Sequence, residues 1–561
     1  MVDQNMTAAS TAKAISNPLS EFQERKRKLE ELRAAGVMPY PERYKRTHTT
    51  SQARALAQKN PPRKLEEILA PLSAASLGHD NNGSALSKEA AANKSSVKIR
   101  LAGRVMLIRP HGKLTFAQLQ DDSGQIQICF MQTFMEAFGK FAAGPRKKPF
   151  KGLQSYKMVR KLDMADFVGV SGELFHTRHG ELTLLVKEWT FLGKTLRPLP
   201  EKFHGLQDLE AKYRYRYLDL LADPSAKKRF VTRTRLVADM RRFMDKHGFL
   251  EVETPILTSV PSGAAAKPFC THHNALDIDL FLRIAPETYL KRCIVGGFER
   301  VYEIGKCFRN EGMDPSHLQE FTMMEYYAAY WNYEDNMDFT EKFISHLIKE
   351  LTGGTTISAK DRDGKTQTIN FKTPWPRLNF AEIIKQDCGI DILEHYGDAD
   401  SLRAAISSKL GSSFKLERAE TMGYGNLCDA LYKKVSRPKL IQPAFVIKHP
   451  VDTKPLARRN DKDERIADTF QLLVNTWEIV NAYSELVDPI DQRSRLQKQA
   501  AARAQGDEEA MPMDEDYLLA MEHGMPPISG WGLGIDRFMA LLTGQDNLKD
   551  VVLFPLMKPA D

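Results

Sequence analysis

Between Val97 and about Leu196, apolar and polar residues alternate in short runs: VKIRLAGRVMLIR, KLTFAQLQD, QIQICF, DFVGVSGELF and ELTLLVKEWTFLG. Alternation with period two puts the apolar side chains on one face of a strand. Turn residues such as Asp122-Ser123-Gly124 and His179-Gly180 separate the runs. Five such strands predict a small closed barrel of the OB type. Elsewhere the period is helical. SEFQERKRKLEELRAAG places Phe22, Leu29 and Leu32 on one stripe, with Ser20 as a cap and Gly36 as a stop. In KKRFVTRTRLVADMRRFMDKHG the repeat runs through Leu236, Val237, Met240, Phe243 and Met244, and Gly248 closes it. Further on come a strand ending at Pro255, several strand runs, the helix DNMDFTEKFISHLIKEL, and a closing Gly-rich strand that leads into a helix. Strands and helices do not alternate strictly, so the pattern predicts an α+β domain with an antiparallel sheet rather than a doubly wound fold.

Three regions follow. Residues 1–95 form an N-terminal extension, in which 1–20 read as disordered and 71–95 as a linker or flexible insertion. Residues 96–200 form the barrel. After a linker, LRPLPEKFHGLQDLEAKYRYRYLDLLADPSAKKRF, residues 201–561 form the large domain, with a variable insertion at about 355–440. At 561 residues the chain is too long for one hydrophobic core.

Composition narrows the class. No stretch reaches the roughly 20 apolar residues of a membrane helix. The N-terminal MVDQNMTAASTAKAISNP lacks the apolar core of a secretory signal, and Asp3 with few arginines argues against a transit peptide, so a cytoplasmic protein is expected. Six cysteines without a CxxC pair read as reduced thiols rather than a zinc site. A net charge of +8 is compatible with a polyanionic partner. The basic residues Arg25, Lys26, Arg27 and Lys28 of the first helix read either as a solvated face or as a phosphate-contacting arm.

The GKT tripeptides at Gly193 and Gly364 lack the glycine five positions earlier that a phosphate-cradling loop needs. The segment FERVYEIGKCFRNEGMDPSHLQEFTMMEYYAAYW carries more. Strand alternation puts Arg309 and Glu311 on one face, and Phe321, Glu325 and Tyr327 on one face of the returning strand. A guanidinium for phosphate, a carboxylate for an exocyclic amine, His317 and a stacking aromatic could grip a nucleotide; an amphipathic hairpin with surface ion pairs is the bland alternative. In GWGLGIDRFMALLTG, Gly530, Gly532 and Gly534 recur with period two, so a flat base could lie on bare backbone beneath Arg537. WEIVNAYSEL adds Glu478, Asn481, Tyr483 and Glu485. With Glu287 and Glu325 the pocket is rich in carboxylates, which suits an ammonium ligand and repels an acidic one. Glu478 could instead hold Mg²⁺ on the phosphates. In the barrel, Phe116 and Gln127 are candidates for a base-stacking platform, although a strand Phe is more often core.

At these residues the chain resembles the class II aminoacyl-tRNA synthetases and, within subclass b, the bacterial-type lysyl-tRNA synthetases. GFLEVETP looks like motif 1, FRNE…HLQEFTMMEYY like motif 2 and GLGIDR like motif 3. THHNALDIDLFLRIAPETYLKR and PLARRND are typical of the lysine enzymes. The resemblance implies an N-terminal anticodon-binding OB domain and a class II catalytic domain. It implies ATP-dependent ligation of L-lysine to tRNA(Lys) through a lysyl-adenylate, with Mg²⁺ as cofactor, in a homodimer joined at motif 1 around Pro255. Arg309 and Arg537 would be catalytic, and Arg309, Glu311, His317, Phe321, Glu478 and Arg537 would bind ATP, with Glu478 holding the metal. Gly263, Glu287, Glu325, Tyr327, Asn481, Tyr483 and Glu485 would line the lysine site. Arg109, Phe116, Gln127 and Glu181 would read the anticodon. The chain departs from the pattern at Gln471, where an acidic metal ligand is common, and at Leu318, Tyr483 and Ser262. The alternatives are an aspartyl- or asparaginyl-type synthetase and a non-catalytic tRNA-binding paralogue, the latter opposed by the presence of both motif arginines.

Overall fold

The computed structural model describes residues 18–77, 98–145, 147–199, 206, 208–264, 266–361, 364–411, 414, 416, 420, 422–504 and 510–559. The chain divides into two compact units, Met1–Glu201 and Lys202–Asp561. Of residues 1–20, expected to be disordered, 18–20 are instead helical and 1–17 lie outside the described residues, as do 78–95 of the expected linker 71–95.

In the first unit, five strands form the barrel: β1 (Ile99–His111), β2 (Leu114–Asp121), β3 (Gly124–Met131), β4 (Phe167–His176) and β5 (Leu182–Gly193). Their order is β3-β2-β1-β4-β5, antiparallel throughout, and a parallel pairing of β3 with β5 closes it. Alternation works as predicted: Thr115, Ala117 and Leu119 of β2 point inward, with Val105, Ile128, Phe130, Val170 and Trp189 filling the interior. Gly172 is required at a bulge in β4, because a Cβ there would lie 1.8 Å from the Leu185 carbonyl oxygen. The helices α1 (Pro18–Ala34), α2 (Thr50–Lys59) and α3 (Leu65–Leu77) accompany the barrel, along with the shorter Gln132–Phe138 and Leu153–Lys157. Ser20 falls inside the first turn of α1 instead of capping it. The basic side chains of α1 are in part already committed. Arg25 is buried and donates to the Met164 carbonyl at 2.9 Å, and Lys28 pairs with Asp163 at 2.6 Å. The stretch expected to be a linker from 71 onward begins as helix, since α3 continues through Pro71 to Leu77.

The second unit is built on an eight-stranded sheet. Its strands are β6 (Leu250–Glu251), β7 (Arg300–Phe308), β8 (Glu320–Ala329), β9 (Arg377–Asn379), β10 (Ala444–Ile447), β11 (Thr469–Val474), β12 (Trp477–Ser484) and β13 (Ile528–Gly534). The order is β9-β10-β11-β12-β13-β8-β7-β6, antiparallel except for the edge pairs β9–β10 and β7–β6. The expected α+β class holds. One face of the sheet packs on α4 (Pro224–Lys246) and α5 (Tyr333–Thr352) through Met240, Met244, Phe343, Leu347, Tyr326 and Trp531. Asp223 caps α4 ahead of Pro224, and Gly248 ends it in the left-handed region (φ 77°). The strand expected up to Pro255 is only the two residues of β6. The stretch read as a linker also contains helices, Leu209–Arg214 and Arg216–Ala222. There Arg216 is fully buried, paired with Asp219 at 2.7 Å and donating to the Lys549 carbonyl at 2.7 Å.

The described residues of 355–440 form regular elements as well. Three helices (Phe380–Cys388, Ala399–Leu410, Tyr424–Val435) gather around Ile384, Leu402, Leu427 and Leu431, whereas a hairpin (Thr356–Lys360, Thr366–Asn370) joins the main core through Ile357, Ala359 and Ile369. Gly364 lies between the strands of that hairpin and Gly193 at the end of β5, so neither GKT opens a helix. Among the described residues, no helix is long and apolar enough to cross a membrane.

Candidate active site

The face of the sheet opposite the helices opens into a cavity of about 360 Å³. Every position named above for nucleotide or lysine lines it, from Gly263 and Glu287 through Arg309, Glu325 and Glu478 to Arg537. Strand register explains the convergence. Glu325 of β8, Gly532 of β13 and Asn481 of β12 lie in one row across the sheet, and Tyr327, Gly530 and Tyr483 in the next. Met324 and Tyr326, of opposite parity, point into the core.

At one end stand the arginines. β7 stops at Phe308, so strand alternation does not place Arg309 and Glu311 as expected; both belong to the loop that links β7 to β8. The Arg309 amide donates to the Gln319 carbonyl at 2.9 Å, and its guanidinium lies 5.2 Å from the centre of the Phe321 ring. Arg309 Nε is buried without a hydrogen-bond partner among the described residues, a donor left for an acceptor from a ligand. Arg537 donates to His317 Nε2 at 3.1 Å, and His317 Nδ1 in turn donates to Asp314 at 2.7 Å. The adjacent Glu478 is half-buried. Burial raises its pKa, but the cations Lys454, Arg537 and Arg437 outweigh that and hold it below the usual carboxylate range. An ionised hard oxygen donor fits Mg²⁺ shared with phosphate oxygens. Among the described residues no group of three or more His, Cys, Asp or Glu is placed to hold a metal alone. Gln471 adds no donor: it is not on the cavity wall, and its side chain meets His449 Nε2 at 3.2 Å.

At the other end three buried carboxylates, Glu287, Glu325 and Glu485, surround a group that the sequence reading overlooked. Lys291 is fully buried, with its Nζ 2.6 Å from Glu287 Oε1 and 2.5 Å from Glu485 Oε2. The rings of Tyr327, Tyr483 and Tyr517 flank the ammonium at 5.9, 5.8 and 5.8 Å. Burial opposes the charge of Lys291, but the carboxylates of Glu287 and Glu485 prevail and raise its pKa well above the ordinary lysine value. Burial, reinforced by Glu287, pushes Glu325 up to about 8. Burial, with Glu287 and Glu325 close by, also holds the Glu485 carboxyl well above the ordinary carboxylate range, against the pull of Lys291. Glu485 Oε1 has no hydrogen-bond partner among the described residues. Helical spacing was the available signal for Lys291, which follows Glu287 by four residues on one helix.

The departures noted in the sequence have structural roles. The Tyr483 hydroxyl donates to Glu287 at 2.8 Å. Ser262 Oγ donates to Asp514 at 2.7 Å and lies 3.0 Å from Thr288 Oγ1, which fixes the loop carrying Gly263. Leu318 packs on the core. The glycine strand differs from the expected flat platform: a Cβ on Gly530 would lie 2.1 Å from Glu485 Oε1 and 2.4 Å from Tyr327, whereas at Gly532 and Gly534 the nearest atoms are at 3.5 and 3.8 Å. Gly530 thus makes room for the acid end, and only the other two leave open backbone.

In the barrel, Arg109 of β1 faces Phe116 of β2, and Gln127 of β3 is the diagonal neighbour of Phe116 on the same outer face. Gln127 donates to Thr183 at 2.8 Å, two residues from the exposed Glu181. Phe116 is half-buried at the margin of an apolar cluster with Leu65, Leu69 and Leu72 of α3, so it belongs partly to packing.

Comparison with known proteins agrees with this geometry. The profile of the "tRNA synthetases class II (D, K and N)" matches residues 208–558, and that of the "OB-fold nucleic acid binding domain" matches residues 99–192. Proteins named lysine–tRNA ligase are similar over nearly the whole length. Those of Carboxydothermus hydrogenoformans and Pelotomaculum thermopropionicum are each 43% identical, over 95% and 96% of this chain and 97% and 94% of their own. That of Magnetococcus marinus is 43% identical over 95% of this chain and 96% of its own.

Proposed function

This chain belongs to the class II tRNA synthetases, and we propose that its cavity receives ATP at the arginine end and L-lysine at the carboxylate end. The activity is ATP-dependent ligation of lysine to tRNA through a lysyl-adenylate, with release of pyrophosphate and AMP. The observation that carries the assignment of residues is the opposition of charges within one cavity. Arg309, with an unpaired buried Nε, stands at one end, and Glu485, with an unpaired buried Oε1, stands at the other.

The lysine carboxylate attacks the α-phosphorus in line. The protein supplies no nucleophile, only position and charge. Arg309 takes the α-phosphate and the lysine carboxylate, and Arg537 with His317 takes the outer phosphates. Glu311 accepts from the adenine amine while Phe321 stacks on the ring. Glu478 is the residue that would hold Mg²⁺, which when bound neutralises phosphate charge. Gly263, Asn481, Tyr327 and Tyr483 orient the amino acid, and its ε-ammonium faces the carboxyl groups of Glu287, Glu325 and Glu485. An aspartate side chain would meet carboxylates there, which disfavours the aspartate-type reading.

This reading sets a pH dependence. Glu325 is largely neutral below its pKa of about 8, and a bound ammonium favours its ionised form. Lysine binding therefore expels a proton below pH 8, and lysine affinity rises with pH up to that value and then levels. Calorimetry of lysine binding across this range is expected to show that rise in the native protein and a flat profile in Glu325→Gln. The same shift acts on stability. The folded state binds this proton more tightly than the unfolded chain, whose glutamates titrate near ~4.3, so the contribution of Glu325 falls as pH rises from there to about 8.

The barrel face bearing Arg109, Phe116, Gln127 and Glu181 is assigned to the anticodon of tRNA(Lys). Phe116→Ala is expected to remove about 1–3 kcal/mol of base stacking. It should appear as a raised KM for tRNA in aminoacylation, with pyrophosphate exchange unchanged. We also assign the protein to the cytoplasm and to a homodimer through the motif 1 segment. Leu250, Ile256, Leu257, Ile278 and Phe298 are exposed around Pro255, beside the sheet edge at β6.

A further inference from the structure

One cation in the cavity wall has no part in the reading above. Lys454 is half-buried, lines the cavity and donates from Nζ to Asn481 Oδ1 at 2.9 Å. Asn481 lies between Glu478 and Tyr483 along β12, and faces Gln471 on β11 and Gly532 on β13. The hydrogen bond therefore holds the ammonium where the arginine end of the cavity passes into the carboxylate end. That is the place where the two substrates meet.

The chemistry there requires positive charge. A carboxylate oxygen bonds to the α-phosphorus while the bond from that phosphorus to the oxygen bridging to the β-phosphate breaks, and pyrophosphate leaves with the electron pair. Two anions must approach to bonding distance in a site poor in water, where their repulsion is weakly screened. Arg309 is one cation facing both. We propose that Lys454 is a second, which binds the α-carboxylate of lysine and holds it against the α-phosphate while keeping its own proton. Asn481, bound to the ammonium, positions it, and the neutral Gln471 behind Asn481 does not compete for its charge. The inference rests on the lysine reading of the cavity. The plainer role for Lys454 is that of a counter-ion to Glu478, and the two roles differ in what they predict for ligands without a carboxylate.

The test uses L-lysine and L-lysinol, which share the side chain and both ammonium groups but differ in the carboxylate. Binding of each to the full-length native protein, Lys454→Met and Lys454→Arg is measured by calorimetry without ATP or Mg²⁺, after thermal melting has checked folding. Lys454→Met should weaken lysine about tenfold or more, the usual size of a lost charge-assisted hydrogen bond, and leave lysinol within about twofold. Lys454→Arg should recover most of the lysine affinity. Should Lys454→Met misfold, Lys454→Gln serves in its place. Equal losses for both ligands, or no loss for either, would overturn the role of Lys454. If the native protein bound neither ligand, the lysine reading itself would fall, an outcome distinct from the other two.

Discussion

Arg309→Ala lowers the rate of lysyl-adenylate formation by at least about 10²–10³-fold, the cost of removing one donor aimed at transition-state charge. The expectation follows from its position. The backbone of Arg309 is tied to Gln319, and its guanidinium lies along Phe321 with Nε unpartnered. Because Nε donates no hydrogen bond to another described residue, the fold should survive the substitution, and circular dichroism with thermal melting checks that. Single-turnover formation of the adenylate at a near-native rate in the folded variant would remove Arg309 from the chemistry.

Lys291→Met is expected to produce the largest loss of stability. It leaves Glu287 and Glu485 buried without their common ammonium, and breaking a buried ion pair by removing one partner costs about 3–5 kcal/mol. Bound lysine brings an ammonium back to the same carboxylates. Saturating lysine should therefore raise the melting temperature of the variant by more than it raises that of the native protein. A variant as stable as the native protein, with the same response to lysine, would show that the carboxylates do not depend on Lys291.

These two predictions differ in how visible their residues are in the sequence. Arg309 lies in a run whose residue types already suggest phosphate and base contacts. The glycine strand and the WEIVNAYSEL segment were equally legible, because period-two alternation fixes which residues share a face once a strand is assigned. The barrel followed from the same periodicity. Lys291 was less visible because a lysine on an amphipathic helix is usually solvated, and only the fold brings Glu485 from a distant strand to meet it. Asp514, which fixes Ser262, and Lys454 were hidden for the same reason: their partners are 252 and 27 residues away in sequence. Helix ends were also misplaced. The α1 start precedes Ser20, and α3 runs on into Pro71–Leu77, where Leu72 packs beside Phe116 of the barrel. The two short helices at 209–222 escaped the periodic reading because each is under two turns of regular pattern, and Arg216 is held by distant carbonyls.

The central claim is that the carboxylate end of the cavity selects an ammonium side chain for adenylation. Amino-acid-dependent exchange of pyrophosphate into ATP tests it most directly, with lysine, aspartate and asparagine run in parallel, Mg²⁺ present and no tRNA. The carboxyl groups of Glu287, Glu325 and Glu485 around that end predict exchange with lysine and none with the other two. Exchange driven by aspartate or asparagine, or none with lysine in folded protein, would contradict it.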